Sequence, residues 1–401
     1  MPRVLLLLPT ATYRAEDFLA AAEAVGAEVV VASERRQALR DPMGDRALRV
    51  DLRRPERAAE AVVELAGRVG LDAVVAVDDG GVATAALAGE RLGLPHNPPS
   101  AVAATRDKAA MRRAFRDAGI PQPGFRVLLP GDDAGSVDLP AVLKPVALSA
   151  SRGVIRADDS AAARTAEARI RAILGDAGED PDGPVLAETY EPGAEVAVEA
   201  LLRGGELEVL AVFDKPDPLE GPYFEETIYV TPSRLPAERV RLVEETAAAA
   251  ARALGLREGP VHAELRLDGD RIRVLELAGR SIGGLCSRAL RFGAGISLEE
   301  VILRHALGLP LGDHAREQQA SGVMMLPIRQ AGILREVRGL EAARAVPGVS
   351  DVRITIAPGR PVVPLPEGDR YLGFAFARAD TPAEVEAALR AADAALDVVL
   401  D

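Results

Sequence analysis

The stretch His262-Ala-Glu264-Leu-Arg-Leu-Asp268-Gly-Asp270-Arg-Ile-Arg-Val274-Leu-Glu276-Leu-Ala-Gly-Arg280 reads as two short strands, His262–Leu267 and Arg271–Leu277, on either side of a turn-forming Asp-Gly-Asp. If that turn closes a hairpin, the two-residue period of strand side chains lets Glu264 and Glu276 approach each other on one face. Facing carboxylates repel unless a cation lies between them, and a hard, oxygen-liganded ion such as Mg2+ (or Mn2+) meets that need. Arg280 would then lie beside the pair. Taken alone, these residues describe a solvated hairpin face equally well.

The residues upstream separate the two readings. Lys108 stands in Thr105-Arg-Asp-Lys108 at the head of a helical stretch, and Lys144 closes the apolar strand Ala141-Val-Leu-Lys144-Pro145. A buried ammonium needs a partner, although either lysine by itself also fits a snorkelling residue at a sheet edge. Nucleotide phosphate would be such a partner, and the next segment suits it. Leu148-Ser149-Ala-Ser151-Arg152-Gly153 is a loop of small residues whose backbone N–H groups can approach phosphate oxygens. Further on, Val185-Leu-Ala-Glu188-Thr189-Tyr190-Glu-Pro-Gly193-Ala-Glu195 runs an apolar strand into two carboxylates around a Pro-Gly turn. A strand edge there offers backbone groups to a purine, and a carboxylate can accept from both ribose hydroxyls; ordinary turn acidity is the plainer alternative.

The surrounding chain divides into three. Val4–Leu8, a helix over about 15–25, Val29–Val31, a helix over about 55–69 and Val74–Val77 form a βαβαβ pattern. Such a unit places ligands at the carboxyl ends of parallel strands, here the loops Pro9–Tyr13 and Asp78–Gly81. Neither loop has the G-x-G-x-x-G spacing, which removes the main support for a nicotinamide site. The Pro-rich segment Leu94–Ser100 reads as a linker, followed by one helical stretch over 100–118, a run of short strands with helices near 160–174 and 237–254, and a third unit from about Ser321. The last helix opens with Thr381-Pro-Ala-Glu384, a capping signal.

Composition sets outer limits. The 401 residues are 48% hydrophobic and carry a formal charge of −13, a field that repels polyanions and makes nucleic acid a poor partner. Val4–Leu8 is too short to span a bilayer and has no secretory processing site, and the sole cysteine, Cys286, excludes an intrachain disulfide or a zinc–thiolate cluster. A cytoplasmic location and no membrane partner are the expectation.

In their order, Lys108, Lys144, the small-residue loop, Glu188 with Glu195, and Glu264 with Glu276-x-x-x-Arg280 resemble the ATP-grasp superfamily over residues 1–310. Thr105-Arg-Asp-Lys108-Ala-Ala-Met-Arg-Arg-Ala-Phe and Leu277-Ala-Gly-Arg280-Ser-Ile-Gly-Gly284 resemble its L-amino acid ligase branch, as does the start of the third unit. The resemblance implies a mixed α/β and α+β protein. A Rossmann-like domain would occupy residues 1–100, an ATP-grasp domain holding nucleotide between two subdomains 101–312, and a small α+β C-terminal domain 321–401.

It further implies ATP and Mg2+ as cofactors, a carboxylate and an amine as substrates, and a chain that can form a homodimer. Lys108 and Lys144 would hold the α- and β-phosphates, and Ser149, Ser151, Arg152 and Gly153 would close over the triphosphate. Glu188, Thr189 and Tyr190 would receive adenine, Glu195 ribose, and Glu264 and Glu276 the metal. Arg280 would stabilise the transferring phosphoryl group, Lys215 would reach the terminal phosphate, and Glu226 would serve the amine.

Two positions depart from the family pattern. Ala278 stands where many members have a metal-binding Asn, and Tyr229 stands where a His follows the Glu226 position by three. An ordinary phenol, with pKa near 10, is a poor base at neutral pH. His262, alternating with apolar neighbours, reads as a hydrogen-bonded structural residue, and Cys286 as a small buried one. A nucleotide-biosynthetic ligase or carboxylase of the same superfamily, and a nucleotide-binding regulator without catalysis, are the alternatives.

Overall fold

The computed structural model describes residues 1–10, 12–34, 46–293 and 295–401. The first unit runs β1 (Arg3–Leu8), α1 (Ala15–Ala24), β2 (Glu28–Ser33), β3 (Ala47–Arg49), α2 (Pro55–Val69), β4 (Ala73–Ala76) and α3 (Asp79–Leu92). Its sheet has order β3-β2-β1-β4, and every pair is parallel. Val4–Leu8 is buried throughout, as a central strand covered by helices on both faces must be. The sequence reading placed Asp78–Gly81 in a loop. Instead the Asp78 carboxylate accepts from Asp79 N at 2.9 Å and caps α3, whose Ala- and Gly-rich sequence has little amphipathic period. Gly81 allows that helix to sit close: a Cβ there would lie 2.9 Å from Cβ of Leu7. Ala11, in the other candidate loop, lies outside the described residues.

The expected single helix over 100–118 is two, α4 (Pro99–Arg106) and α5 (Lys108–Asp117). Asp107 breaks them apart: it is extended, at φ −117° and ψ 100°, and its carboxylate accepts from Ala110 N at 2.8 Å. Lys108 thereby becomes the first residue of a helix. A four-stranded antiparallel sheet of order β5-β8-β6-β7 follows, made of β5 (Phe125–Leu128), β6 (Ala141–Pro145), β7 (Ile155–Ala157) and β8 (Val185–Thr189), with α6 (Ser160–Asp176) packed on it.

A larger sheet receives β9 (Ala194–Arg203), β10 (Glu206–Lys215), β11 (Ile228–Thr231), β12 (Gly259–Asp268) and β13 (Arg271–Ala278), backed by α7 (Ala237–Leu254). The β12–β13 hairpin closes with Glu264 opposite Glu276 and a register shift just after Glu264. After α8 (Leu298–Ala306) come β14 (Ala320–Leu326), β15 (Gly332–Arg338), α9 (Leu340–Arg344), β16 (Val349–Ile354), β17 (Pro361–Val362), β18 (Gly373–Ala379), α10 (Pro382–Ala394) and β19 (Asp397–Leu400). Strands β14, β18 and β16 extend the larger sheet to the order β13-β12-β9-β10-β11-β14-β18-β16. Strands β17-β15-β19 form a separate three-stranded sheet. Thr381 and Glu384 complete a capping box at the start of α10. No described helix is long and apolar enough to cross a membrane.

A buried ion pair ties the first unit to α8. Arg14 and Glu299 meet at 2.6 Å, both almost fully buried, and Arg14 also donates to Ser281 Oγ at 2.7 Å and Ile282 O at 3.1 Å. Removing one member strands a charge in a dry interior. Arg14→Ala should therefore cost about 3–5 kcal/mol in urea unfolding. Arg14→Met with Glu299→Leu should cost markedly less, and equal losses would show that the pair does not carry the junction.

Candidate active site

A cleft of about 460 Å3 opens among the four-stranded sheet, the larger sheet, the capped end of α3 and the segment before β18. Along one wall, Lys144 Nζ lies 2.7 Å and Arg112 Nε 2.6 Å from the Glu188 carboxylate, which is buried. Burial alone would raise the Glu188 pKa, but the charges of Arg112 and Lys144 outweigh it and hold the group down at about 2. Lys108 Nζ donates to Leu148 O at 2.7 Å and stands 3.5 Å from Glu276. The N–H groups of Thr189 and Tyr190 are taken by Gly124 O and Pro140 O, both at 2.9 Å, and the Tyr190 ring, under Arg156 at 4.0 Å, lines the cleft beside Glu188, Thr189 and Glu191.

The floor is a buried charge network. Lys215 Nζ contacts Glu195 at 2.6 Å, Glu226 at 2.5 Å and Glu264 at 3.3 Å. Those three carboxylates have oxygens within 4.8 Å of one another. Burial works against the Lys215 charge, yet the surrounding glutamates hold its pKa well above the ordinary value. Glu195 is also held by Arg266 at 2.9 Å, so a ribose contact there would have to share an already paired group. His262, expected from sequence to be a hydrogen-bonded structural residue, bonds Glu199 at 3.1 Å and Glu264 at 3.4 Å and also lines the cleft; burial opposes its charge, but these bonds hold the pKa up at about 9. Tyr229 is buried and donates to Glu226 at 2.8 Å. Burial, then the charge of Glu226, pushes the phenol well above its ordinary pKa, so it is a fixed donor rather than a base. Burial and the neighbouring Glu264 charge raise the Glu226 pKa.

At the far end, Arg280 pairs with Asp79 of the first unit at 2.8 Å. Arg280 Nε and Arg152 Nε are both buried without a hydrogen-bond partner, which leaves two guanidinium donors unsatisfied beside the cleft. Those donors, with Lys108 and Lys144, fit a polyphosphate. Glu264 and Glu276 are partly exposed oxygen donors whose nearest cations are lysine ammoniums, a set that suits Mg2+ held by carboxylates together with phosphates. Ala278 lines the same cleft, and its side chain supplies no oxygen ligand.

Sequence reasoning missed Arg112, Arg266, Glu199 and Asp79. A signal existed for Arg112, one helical turn after Lys108 and between the apolar Met111 and Phe115. Asp79 falls in the Asp78–Gly81 stretch expected to face ligand, but its pairing with Arg280 arises only when two units meet.

Three family models match successive parts of the chain: the ATP-grasp N-terminal domain over 19–96, the ATP-grasp domain over 137–289 and the L-amino acid ligase C-terminal domain 2 over 324–401. A D-alanine--D-alanine ligase of Cupriavidus pinatubonensis is 30% identical over 248 residues, covering 57% of this chain and 72% of that protein. The chain belongs to the ATP-grasp superfamily. Alanine--anticapsin ligase of Bacillus subtilis is 28% identical over 62% of this chain and 56% of its own length. The solved structure of L-amino acid ligase from Bacillus licheniformis superposes on this ATP-grasp chain with a TM-score of 0.84 at 24% identity, covering 100% and 99% of the two chains. The chain spans 34% to 63% of the length of the first curated relatives it matches.

The depressed Glu188 pKa carries a stability consequence of definite sign. Its contribution is fully present above the ordinary value of 4.5 and is lost as pH falls toward about 2. Unfolding free energy should drop by about 2–3 kcal/mol from this group across that window, and Glu188→Gln should flatten that limb. Lys144→Ala leaves Glu188 its Arg112 partner, so folding near neutrality should stay cooperative while calorimetry shows weaker ATP binding; unchanged ATP affinity would remove Lys144 from the phosphate site.

Proposed function

We propose that this chain is an ATP-dependent, ADP-forming carboxylate-amine ligase that works through an acyl phosphate and joins an amino acid or small carboxylate to an amino acid or amine. One observation carries the reading: Lys108, Lys144, Arg280 and the opposed Glu264 and Glu276 line a single cleft. Relatives named as ligases of alanine with anticapsin and of D-alanine with D-alanine support it. A phosphorylated substrate, as in the nucleotide-biosynthetic alternative, would call for further basic residues at the Arg280 end. Around Arg280 stand the carboxylates of Asp79, Asp78 and Glu276 instead.

In this reading Lys108 and Lys144 hold the α- and β-phosphates, Lys144 exchanging part of its Glu188 contact for phosphate. The loop of Ser149, Ser151, Arg152 and Gly153 covers the triphosphate, and adenine lies against Tyr190 beside Glu188 and Thr189. Glu264 and Glu276 would hold Mg2+, which when bound neutralises charge on the β- and γ-phosphate oxygens. The substrate carboxylate attacks the γ-phosphorus in line, and Arg280 stabilises the spreading charge from a site where its guanidinium is already oriented by Asp79. Lys215 fixes Glu195, Glu226 and Glu264 around the reacting end. Glu226, with its raised proton affinity and its bond from Tyr229, accepts the proton that the attacking amine gives up.

An active substrate pair should yield ADP, orthophosphate and amide in equal amounts, and hydroxylamine should intercept the activated acyl group. Turnover should stop in excess chelator, and Glu276→Gln should lose at least about a hundredfold in rate. AMP and pyrophosphate as products, or full activity without divalent metal, would overturn the proposal.

A further inference from the structure

We propose that the segment Pro364–Tyr371, between β17 and β18, latches the small-residue loop 149–153 over the cleft, with Arg169 and Glu367 as its positioning residues. The inference rests on the reading of that loop as the cover of the ATP site. Ala150 and Ser151 have φ of +58° and +53°, two successive non-glycine residues in the left-handed region. Side-chain-bearing residues hold that conformation only where their surroundings fix it. Part of what fixes it comes from the C-terminal unit: Gly153 N donates to Pro366 O at 2.9 Å, and an Arg152 nitrogen stands 4.0 Å from Asp369.

A second tie lies behind the loop. Arg169, on α6 of the subdomain that carries the loop, makes a two-pronged pair with Glu367, Nε at 2.5 Å and a terminal nitrogen at 2.9 Å. The same guanidinium donates to Tyr223 Oη and lies over that ring at 5.2 Å, which fixes its orientation. A planar fork on a carboxylate resists sliding as well as separation. Further along the segment, Asp369 and Tyr371 line the cleft itself. One stretch of chain thus touches the loop, its supporting helix and the reaction chamber, while Arg169 and Glu367 stay outside the chamber. Opening the loop would require the subdomain to leave this segment, so the pair should set how often nucleotide escapes and how well the activated acyl group is kept from water.

The test measures release of mant-ATP by stopped flow from the full chain, with Mg2+ present, in wild type, Glu367→Gln, Arg169→Gln, and the exchange Arg169→Glu with Glu367→Arg. Because the pair is partly exposed, each single variant should release about two- to fivefold faster, and the exchange should return most of the way to wild type. In turnover, ADP formed per amide should rise above one in the single variants and stay near one in wild type. The two single variants back each other up should either fold poorly, which melting temperature reports. Mant-ATP release at the wild-type rate in a folded single variant would overturn the latch while leaving the ATP reading standing. Failure of wild type to bind mant-ATP would overturn the ATP reading and the latch with it. Release needs no acceptor substrate, so the result does not wait on identifying the amine.

Discussion

The Lys215 ammonium, enclosed by Glu195, Glu226 and Glu264, is the contact on which the architecture of the site depends. Carboxylates so close together at the floor of a cleft repel one another without a cation among them, and an ammonium buried beneath them would not stay charged without them. The sheet brings the parts together: Glu195 is on β9, Lys215 on β10, Glu264 on β12, and Glu226 just ahead of β11. Arg266 and His262 supply the remaining positive charge. The consequence for chemistry is uneven proton affinity among neighbours, with Glu264 held low by Lys215 and His262 against its burial and Glu226 pushed up by burial and by Glu264. One carboxylate is suited to hold charge and the other to take a proton.

Around this floor the other units act as clamps. The first unit reaches in through Arg14, which fixes Ser281 and Ile282, and through Asp79, which orients Arg280 next to them. From the opposite side Glu199 accepts from Ile282 N at 3.0 Å and pairs with His262. The turn that carries Arg280 is therefore set from two directions by buried charges. The segment that reaches the small-residue loop runs from β17 of the small sheet to β18 of the larger one, so a strand anchors it at each end.

Legibility from sequence followed the range of the forces involved. The β12–β13 hairpin, α2 and α7 were readable because alternation, helical period and turn residues are local properties. Lys108 and Lys144 stood out because a lysine beside apolar residues conflicts with its neighbours. The capping role of Asp107 was hidden inside an otherwise continuous helical pattern, and α3 was obscured by alanines and glycines that give little period. The partners of Arg112, Asp79 and Arg14 were silent for a different reason: each lies far along the chain, and no local pattern names it. Tyr229 looked like a defect in a pattern, whereas its contacts give it a definite task, to donate to Glu226 and never to lose its own proton at neutral pH.

The central claim is that the bound carboxylate attacks the terminal phosphorus of ATP within this cleft. It is tested most directly by following carboxylate oxygen: a substrate labelled with 18O in both carboxylate oxygens is turned over to amide, and the label is located by mass spectrometry. Attack at the γ-phosphorus predicts one 18O atom in the orthophosphate, one kept in the amide, and none in the nucleotide. Label in AMP, or orthophosphate free of label while amide accumulates, would contradict it.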